Sequence, residues 1–134
     1  MECSIYIVTS FKPFQKGNGY IGLVLAAGSK EPRSIFGPVK DVTANQAELY
    51  GIIKALSFCQ NFEKIHIYTT SGYLRMGFEY LSQWKSCDFE KIKNADLWRR
   101  IAEEAAGKEM ITHLNESNEF TRWLSTETVR RAKS

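Results

Sequence analysis

Residues 43–70 read TANQAELYGIIKALSFCQNFEKIHIYTT, and this stretch decides the fold. Over Thr43–Cys59, apolar side chains recur at the three- and four-residue spacing typical of one face of an α-helix. Lys64–Thr69 is a short run of β-branched and aromatic residues that predicts a strand. The connection through the helix is long enough for a crossover, so we expect this strand to lie parallel to the first strand of the chain.

The sequence before this stretch predicts three further strands, over Ser4–Thr9, Tyr20–Ala27 and Arg33–Val39. Residues with turn chemistry separate them, at Gly17-Asn18-Gly19 and at Gly28–Pro32. Because these loops are too short for crossover connections, the three strands are predicted to form an antiparallel meander.

The sequence after the stretch predicts two helices, a fifth strand and a last helix. They lie at Thr70–Trp84, Ala95–Ala106, Met110–Leu114 and Glu119–Arg131. The order β-β-β-α-β-α-α-β-α predicts an α/β fold in which helices cover the faces of a mixed five-stranded sheet. We expect residues 1–134 to form a single domain.

Composition excludes several classes of protein. With 43% hydrophobic and 25% charged residues, the chain is neither disordered nor a coiled coil. No apolar run approaches the ~18 residues that span a bilayer. The N-terminus, acidic at Glu2, does not resemble a signal peptide. We therefore expect a soluble cytoplasmic protein with no membrane partner.

Charge, cysteines and histidines narrow the possible sites. The net charge of +3 permits nucleic-acid binding without requiring it. Cys3, Cys59 and Cys87 are odd in number and lack C-x-x-C spacing, which argues against a disulfide framework and a structural zinc site. His66 and His113 are too few and too scattered for a histidine-rich metal site, so we predict structural roles for both in strands.

Sheets of this kind place their working site at the carboxyl ends of the central strands. In this sequence those ends are Thr9 and Thr69-Thr70, and the start of the first helix brings Glu48 beside them. These positions are where we expect any chemistry to occur.

The same positions, with the sequence around them, resemble the type 1 ribonuclease H family over nearly the whole chain. The matching segments are Val8-Thr9-Ser10-Phe11 for the family's T-D-G-S, Gly19–Leu25 for its G-x-G-A-I-L, Asn45–Leu49 for N-x-x-E-L, Tyr68–Gly77 for S-T-D-S-x-Y-V-R-x-G, Gln83-Trp84-Lys85 for the basic handle, Lys93–Trp98 for K-N-x-D-L-W and Asn118–Ser125 for N-E-x-x-D-x-L-A. The resemblance implies the ribonuclease H fold.

The resemblance also implies an activity, hydrolysis of the RNA strand of an RNA–DNA hybrid by four carboxylates that hold two Mg²⁺ ions. The matching positions are Thr9, Glu48, Thr70 and Arg122, so one carboxylate of four is retained. Magnesium requires hard, anionic oxygen ligands. Three negative charges are lost and one positive charge is gained, which predicts a degenerate catalytic site with no cofactor. The family's histidine loop is also shortened, to Asn115–Ser117.

The four positions allow other interpretations. We hypothesise that the Arg122 guanidinium pairs with Glu48 and fills the space of the metals. Capping-box spacings occur twice at the start of the first helix, at Thr43 with Gln46 and at Asn45 with Glu48. In the second box Glu48 is the N3 residue, a structural role, and Thr70 and Ser71 are likewise N-cap hydroxyls. A further alternative is a remodelled site in which Glu119, one turn before Arg122, holds Mg²⁺ with Glu48.

A nucleic-acid surface is predicted from an aromatic and basic segment and from one amide. The predicted contact residues are Asn45, Trp84, Lys85, Lys91 and Lys93. Asn45 matches a family residue that reads the minor groove, where the 2′-hydroxyls of RNA lie. Alternatively, Trp84 and Trp98 are core aromatics surrounded by solvated lysines. Gly72 replaces a polar contact residue of the family, which weakens this surface.

The sequence thus predicts a catalytically degenerate ribonuclease H-like domain that binds RNA or an RNA–DNA hybrid. One alternative is a structural or protein-interaction module that reuses the fold. Another is an active Mg²⁺-dependent nuclease with a remodelled site. Salt dependence of binding separates the first from the second, because phosphate contacts weaken steeply as ionic strength rises.

Overall fold

The computed structural model describes residues 1–11, 17–28 and 30–133. The strands are β1 (Glu2–Phe11), β2 (Gly19–Ala26), β3 (Arg33–Val39), β4 (Lys64–Thr69) and β5 (Glu109–Leu114), and the helices are α1 (Ala44–Ser57), α2 (Gly72–Ser86), α3 (Ala95–Glu104) and α4 (Glu119–Ala132). The predicted order of elements is confirmed. Ser29, within the second predicted turn, lies outside the described residues.

The five strands form one mixed sheet in the order β3-β2-β1-β4-β5. Strands β1, β2 and β3 pair antiparallel, with Ile5 opposite Leu25, as the short loops predict. Strand β4 pairs parallel to β1, with Cys3 opposite Ile65, and β5 pairs parallel to β4. The predicted crossover through α1 is therefore confirmed.

The two faces of β1 pack against different helices. Cys3, Ile5 and Ile7 alternate onto one face and join the main core with α1 and α3. Tyr6 and Val8 lie on the other face, in a smaller cluster with residues of α4. Helices α1 and α4 therefore lie on opposite faces of the sheet.

Caps define where the helices begin. Thr43 is the N-cap of α1 and forms a capping box with Gln46. The alternative box from Asn45 to Glu48 is wrong. It requires Asn45 to be the N-cap, but α1 begins at Ala44, so Gln46 and not Glu48 is the N3 residue. Ser71 caps α2 through a 3.2 Å bond from the Leu74 amide, whereas exposed Thr70 lies one residue too early to do so.

Helix α3 packs closely on α2 through Trp98, whose side chain is fully buried. A Cβ built on Gly77 of α2 would lie 2.0 Å from Cη2 of this indole, so only glycine allows the two helices this separation. Half-buried Trp84 packs edge-on against Trp98, with ring centroids 5.4 Å apart. Both tryptophans are therefore core aromatics, as the structural alternative predicts.

Both histidines lie in strands, as predicted. Nδ1 of His66 in β4 is 2.9 Å from Nε2 of His113 in β5. The outer nitrogen of each ring faces a carboxylate, from Glu2 and Glu116 respectively. None of the helices in the described ranges is long and apolar enough to cross a membrane.

Candidate functional site

The carboxyl ends of β1 and β4 diverge where the site is predicted. The last pair between the two strands is Tyr6 with Tyr68, and both Thr9 and Thr70 lie beyond it. Strand β1 continues to Phe11 through its pairing with β2, so Thr9 lies within a strand rather than at its end. Alternation places Thr9 on the same face as Ile7, the face that α1 covers.

Glu48 on α1 is held by the start of α2. The Ser71 hydroxyl donates a 2.6 Å hydrogen bond to Oε2 of Glu48. The Ser71 amide donates to the hydroxyl of buried Thr69 at 2.9 Å, which anchors the turn. Burial raises the pKa of Glu48, and the Ser71 hydroxyl opposes part of that rise. The carboxylate therefore belongs to a hydrogen-bonded link between α1, the end of β4 and α2.

Arg122 is exposed on α4 and forms no ion pair with Glu48, so the hypothesis of that pair is wrong. The physical reason is the position of the two helices. Glu48 lies on α1 and Arg122 on α4, which cover opposite faces of the sheet. The Glu48 carboxylate instead receives its hydrogen bond from Ser71, 23 residues along the chain.

The residues at this site do not fit a pair of magnesium ions. Such a pair needs several carboxylates to offset its charge. Shifting the match by one residue on β1 or after β4 brings in no acid, because Val8, Ser10, Thr69 and Ser71 are all uncharged. Within the described ranges, no group of three or more His, Cys, Asp or Glu side chains is placed to hold a metal ion.

Glu119 is the first residue of α4. It lines an open cavity of about 420 Å³ between α4 and the start of β3, together with Arg33 and Trp123. Glu48 does not line this cavity. This cavity therefore does not bring together the two carboxylates of the remodelled-site alternative.

The predicted basic segment runs from the last turn of α2 towards α3, and its lysine side chains are exposed to solvent. Lys85, Lys91 and Lys93 are all exposed. Between α2 and α3 the chain is irregular, with positive φ at four non-glycine residues, Asp88, Phe89, Lys91 and Asn94. Phe89 is buried in the core, which holds the segment against the protein.

A bridge of hydrogen bonds joins this segment to the start of α1. Asn94 accepts from Nε2 of Gln46 at 3.2 Å and donates to the hydroxyl of Tyr73 at 3.1 Å. Exposed Asn45 and Lys93 are the sequence neighbours of the two bridging residues, so the predicted amide and lysine lie at one junction.

No periodicity or capping pattern in the sequence predicts this bridge. The one related feature in the sequence is the intact K-N-x-D-L-W motif, which contains both Asn94 and Trp98. Both side chains donate to the Tyr73 hydroxyl, the indole N–H of Trp98 at 2.9 Å. Asn94 occupies the N-cap position of α3 without capping it, because its side chain is used in the bridge.

The remaining predicted contact residue, Trp84, lies half-buried at the other end of the segment. Besides its edge-on contact with Trp98, its ring stacks with that of exposed Tyr80 at 6.3 Å. Trp84 therefore fixes the end of α2 on the core, and its contact with nucleic acid stays a prediction.

Comparison with known proteins identifies the family. The RNase H family profile matches residues 5–114. A ribonuclease H of Cupriavidus metallidurans is 34% identical over 103 residues, which cover 72% of this chain and 70% of the relative. One of Cupriavidus pinatubonensis is 35% identical over 91 residues, 63% of this chain and 62% of the relative, so this chain spans less than two thirds of that protein.

A solved structure extends the likeness to the fold. The crystal structure of LC9-RNase H1, a type 1 RNase H with the type 2 active-site motif, superposes with a TM-score of 0.76 at 17% identity, covering 98% of this chain and 72% of that one. Together with the sequence matches, this shows that the chain belongs to the RNase H family.

Proposed function

We propose that this RNase H family domain binds nucleic acid, RNA or an RNA–DNA hybrid, without hydrolysing it. The observation that supports the proposal is the hydrogen bond between Gln46 and Asn94, because it holds the segment that carries exposed Lys93 against the start of α1, where Asn45 is exposed. An exposed amide and an exposed ammonium on two joined segments suit a ligand that presents hydroxyl groups beside phosphates. Lys85 and Lys91 extend the cationic surface along the same segment.

The lack of carboxylates supports binding without cleavage. In two-metal hydrolysis, the ions stabilise the attacking and the leaving oxygens. Here Glu48 is the single acid among the four family positions, and Ser71 already donates to it. We therefore propose no role for magnesium in this domain.

The test measures binding and cleavage of one labelled RNA–DNA hybrid in parallel. We expect affinity to fall steeply with salt and no cleavage with Mg²⁺ or Mn²⁺. The double variant K91Q/K93Q should weaken binding and reduce the slope of log K against log salt, by roughly 0.9 for each lost phosphate contact. The matched control K30Q/K133Q removes two other exposed lysines and should leave the slope unchanged.

Three outcomes would overturn the proposal. Cleavage that disappears in Glu48→Gln would establish a remodelled nuclease site. Equal loss of binding in the test and control variants would mean a non-specific effect of net charge. The absence of any binding at low salt would favour the interaction-module alternative.

A further inference from the structure

Two of the three cysteines lie in contact inside the core. Sγ of Cys3, near the start of β1, is 3.1 Å from Sγ of Cys59, just beyond the end of α1. The residues are only 2% and 1% exposed, and both are free thiols. A disulfide bond is about 2.05 Å long, so the sulfurs need to approach by about 1 Å.

The chain around Cys59 is held in place. The Phe62 amide donates to the Cys59 carbonyl at 3.2 Å. The Lys108 ammonium donates to the carbonyls of Gln60 and Phe62, at 2.7 and 2.6 Å. The thiol pair therefore lies between strand β1 and a turn held by these hydrogen bonds, and this arrangement keeps the two sulfurs close together.

We propose that Cys3 and Cys59 are a redox modification site, at which a peroxide converts the two thiols to an intramolecular disulfide. Either sulfur can donate in the hydrogen bond between them, so each thiol can stabilise the thiolate of the other, and this contact lowers the pKa of Cys3 against the opposing effect of burial. The reaction can therefore begin at the Cys3 thiolate, and the converse route through Cys59 gives the same disulfide. This inference does not depend on the proposed nucleic-acid binding.

The reaction has two steps. The Cys3 thiolate attacks one oxygen of hydrogen peroxide and the O–O bond breaks, which leaves a sulfenic acid and a hydroxide that becomes water on protonation. Cys59 then gives up its proton and attacks Sγ of Cys3, so the S–S bond forms and the sulfenic oxygen leaves as a second water. Two thiols and one peroxide yield one disulfide and two waters, and the thiols lose two electrons to the peroxide.

The cross-link would join the amino end of β1 to the carboxyl end of α1. Asn45 and Glu48 lie at the opposite end of that helix, so oxidation should not alter their surface. Because the cysteines are 56 residues apart, the bond would restrict the unfolded chain and raise the thermal midpoint.

The test uses the full chain with Cys87→Ser, which removes the exposed third thiol and leaves the proposed pair intact. The folded protein is treated with hydrogen peroxide, then denatured and alkylated with N-ethylmaleimide. Intact mass should show the loss of two hydrogens and no adduct, and dithiothreitol should restore two adducts. The thermal midpoint should rise by several degrees on oxidation and return on reduction. In the matched control Cys59→Ala/Cys87→Ser, no intramolecular disulfide should form.

The proposal is overturned by two adducts after peroxide treatment, by sulfinic or sulfonic acid in place of the disulfide, or by a covalent dimer. A lower thermal midpoint after oxidation would also overturn it, because the bond would then distort the native fold.

Discussion

The hydroxyl of Ser71 accepts a hydrogen bond from the Leu74 amide at 3.2 Å and donates one to Oε2 of Glu48 at 2.6 Å. One side chain therefore caps α2 and satisfies a partly buried carboxylate of α1. A hydrogen bond to a charged group contributes about 1.5–3 kcal/mol, which is comparable with the cost of leaving such a group unpaired. The contact accounts for the position of Glu48 without a metal ion.

The stability of Glu48→Gln should depend on pH. Burial raises the folded-state pKa of Glu48 above its ordinary value of 4.5, so the folded protein binds this proton more tightly than the unfolded chain. The wild type therefore loses stability as pH rises from below 4.5 through the folded-state pKa, and the glutamine variant lacks this loss. In urea titrations between pH 4 and pH 7, the unfolding free energy of the variant should rise relative to that of the wild type as the pH increases. A constant difference would contradict this account.

Arg122→Ala should change the free energy of unfolding by no more than about 0.5 kcal/mol, as expected for an exposed residue away from buried contacts. The hypothesis of a pair with Glu48 predicts a loss of stability instead, because a partly buried carboxylate would be left unpaired. Chemical denaturation distinguishes the two. A loss of several kcal/mol would support an ion pair between Arg122 and Glu48.

Gly77→Ala should destabilise the domain by roughly 1–3 kcal/mol, because the new Cβ would lie 2.0 Å from the Trp98 indole and force α2 and α3 apart. Gly72→Ala is the matched control in the same helix. A Cβ at Gly72 meets nothing within 4 Å, so this variant should be neutral or more stable by up to about 1 kcal/mol. Thermal denaturation of the pair gives the comparison, and equal effects would contradict the close packing.

Thr128→Val should stabilise the protein by about 1 kcal/mol. The Thr128 side chain is fully buried, and its hydroxyl has no hydrogen-bond partner among the described residues. Valine replaces that hydroxyl with a methyl group of similar size. Thr128→Ser, which keeps the hydroxyl and removes the methyl, should instead destabilise. Unfolding free energies of the two variants should therefore change in opposite directions.

Local sequence determined the elements and their order. The apolar spacing from Ala47 to Leu56 defines α1, and the short loops around β2 leave no connection except an antiparallel one. The identity of the side chains at the four positions matched to the family was also readable, because two threonines, an arginine and one glutamate stand there in any fold. Capping chemistry narrowed the start of α1 to Thr43 or Asn45 and the cap of α2 to Thr70 or Ser71, and Thr43 and Ser71 are the caps in the structure.

Only the tertiary structure decided which side chains meet. Ser71 with Glu48, Gln46 with Asn94, and Cys3 with Cys59 are 23, 48 and 56 residues apart. Periodicity and capping act over a few residues, so they carry no information about such pairs. The pairs depend on which face of the sheet each helix covers and on how closely the helices pack, as at Gly77 and Trp98. For that reason the partner of Glu48 is a serine of the neighbouring helix and not the arginine on the far side of the sheet.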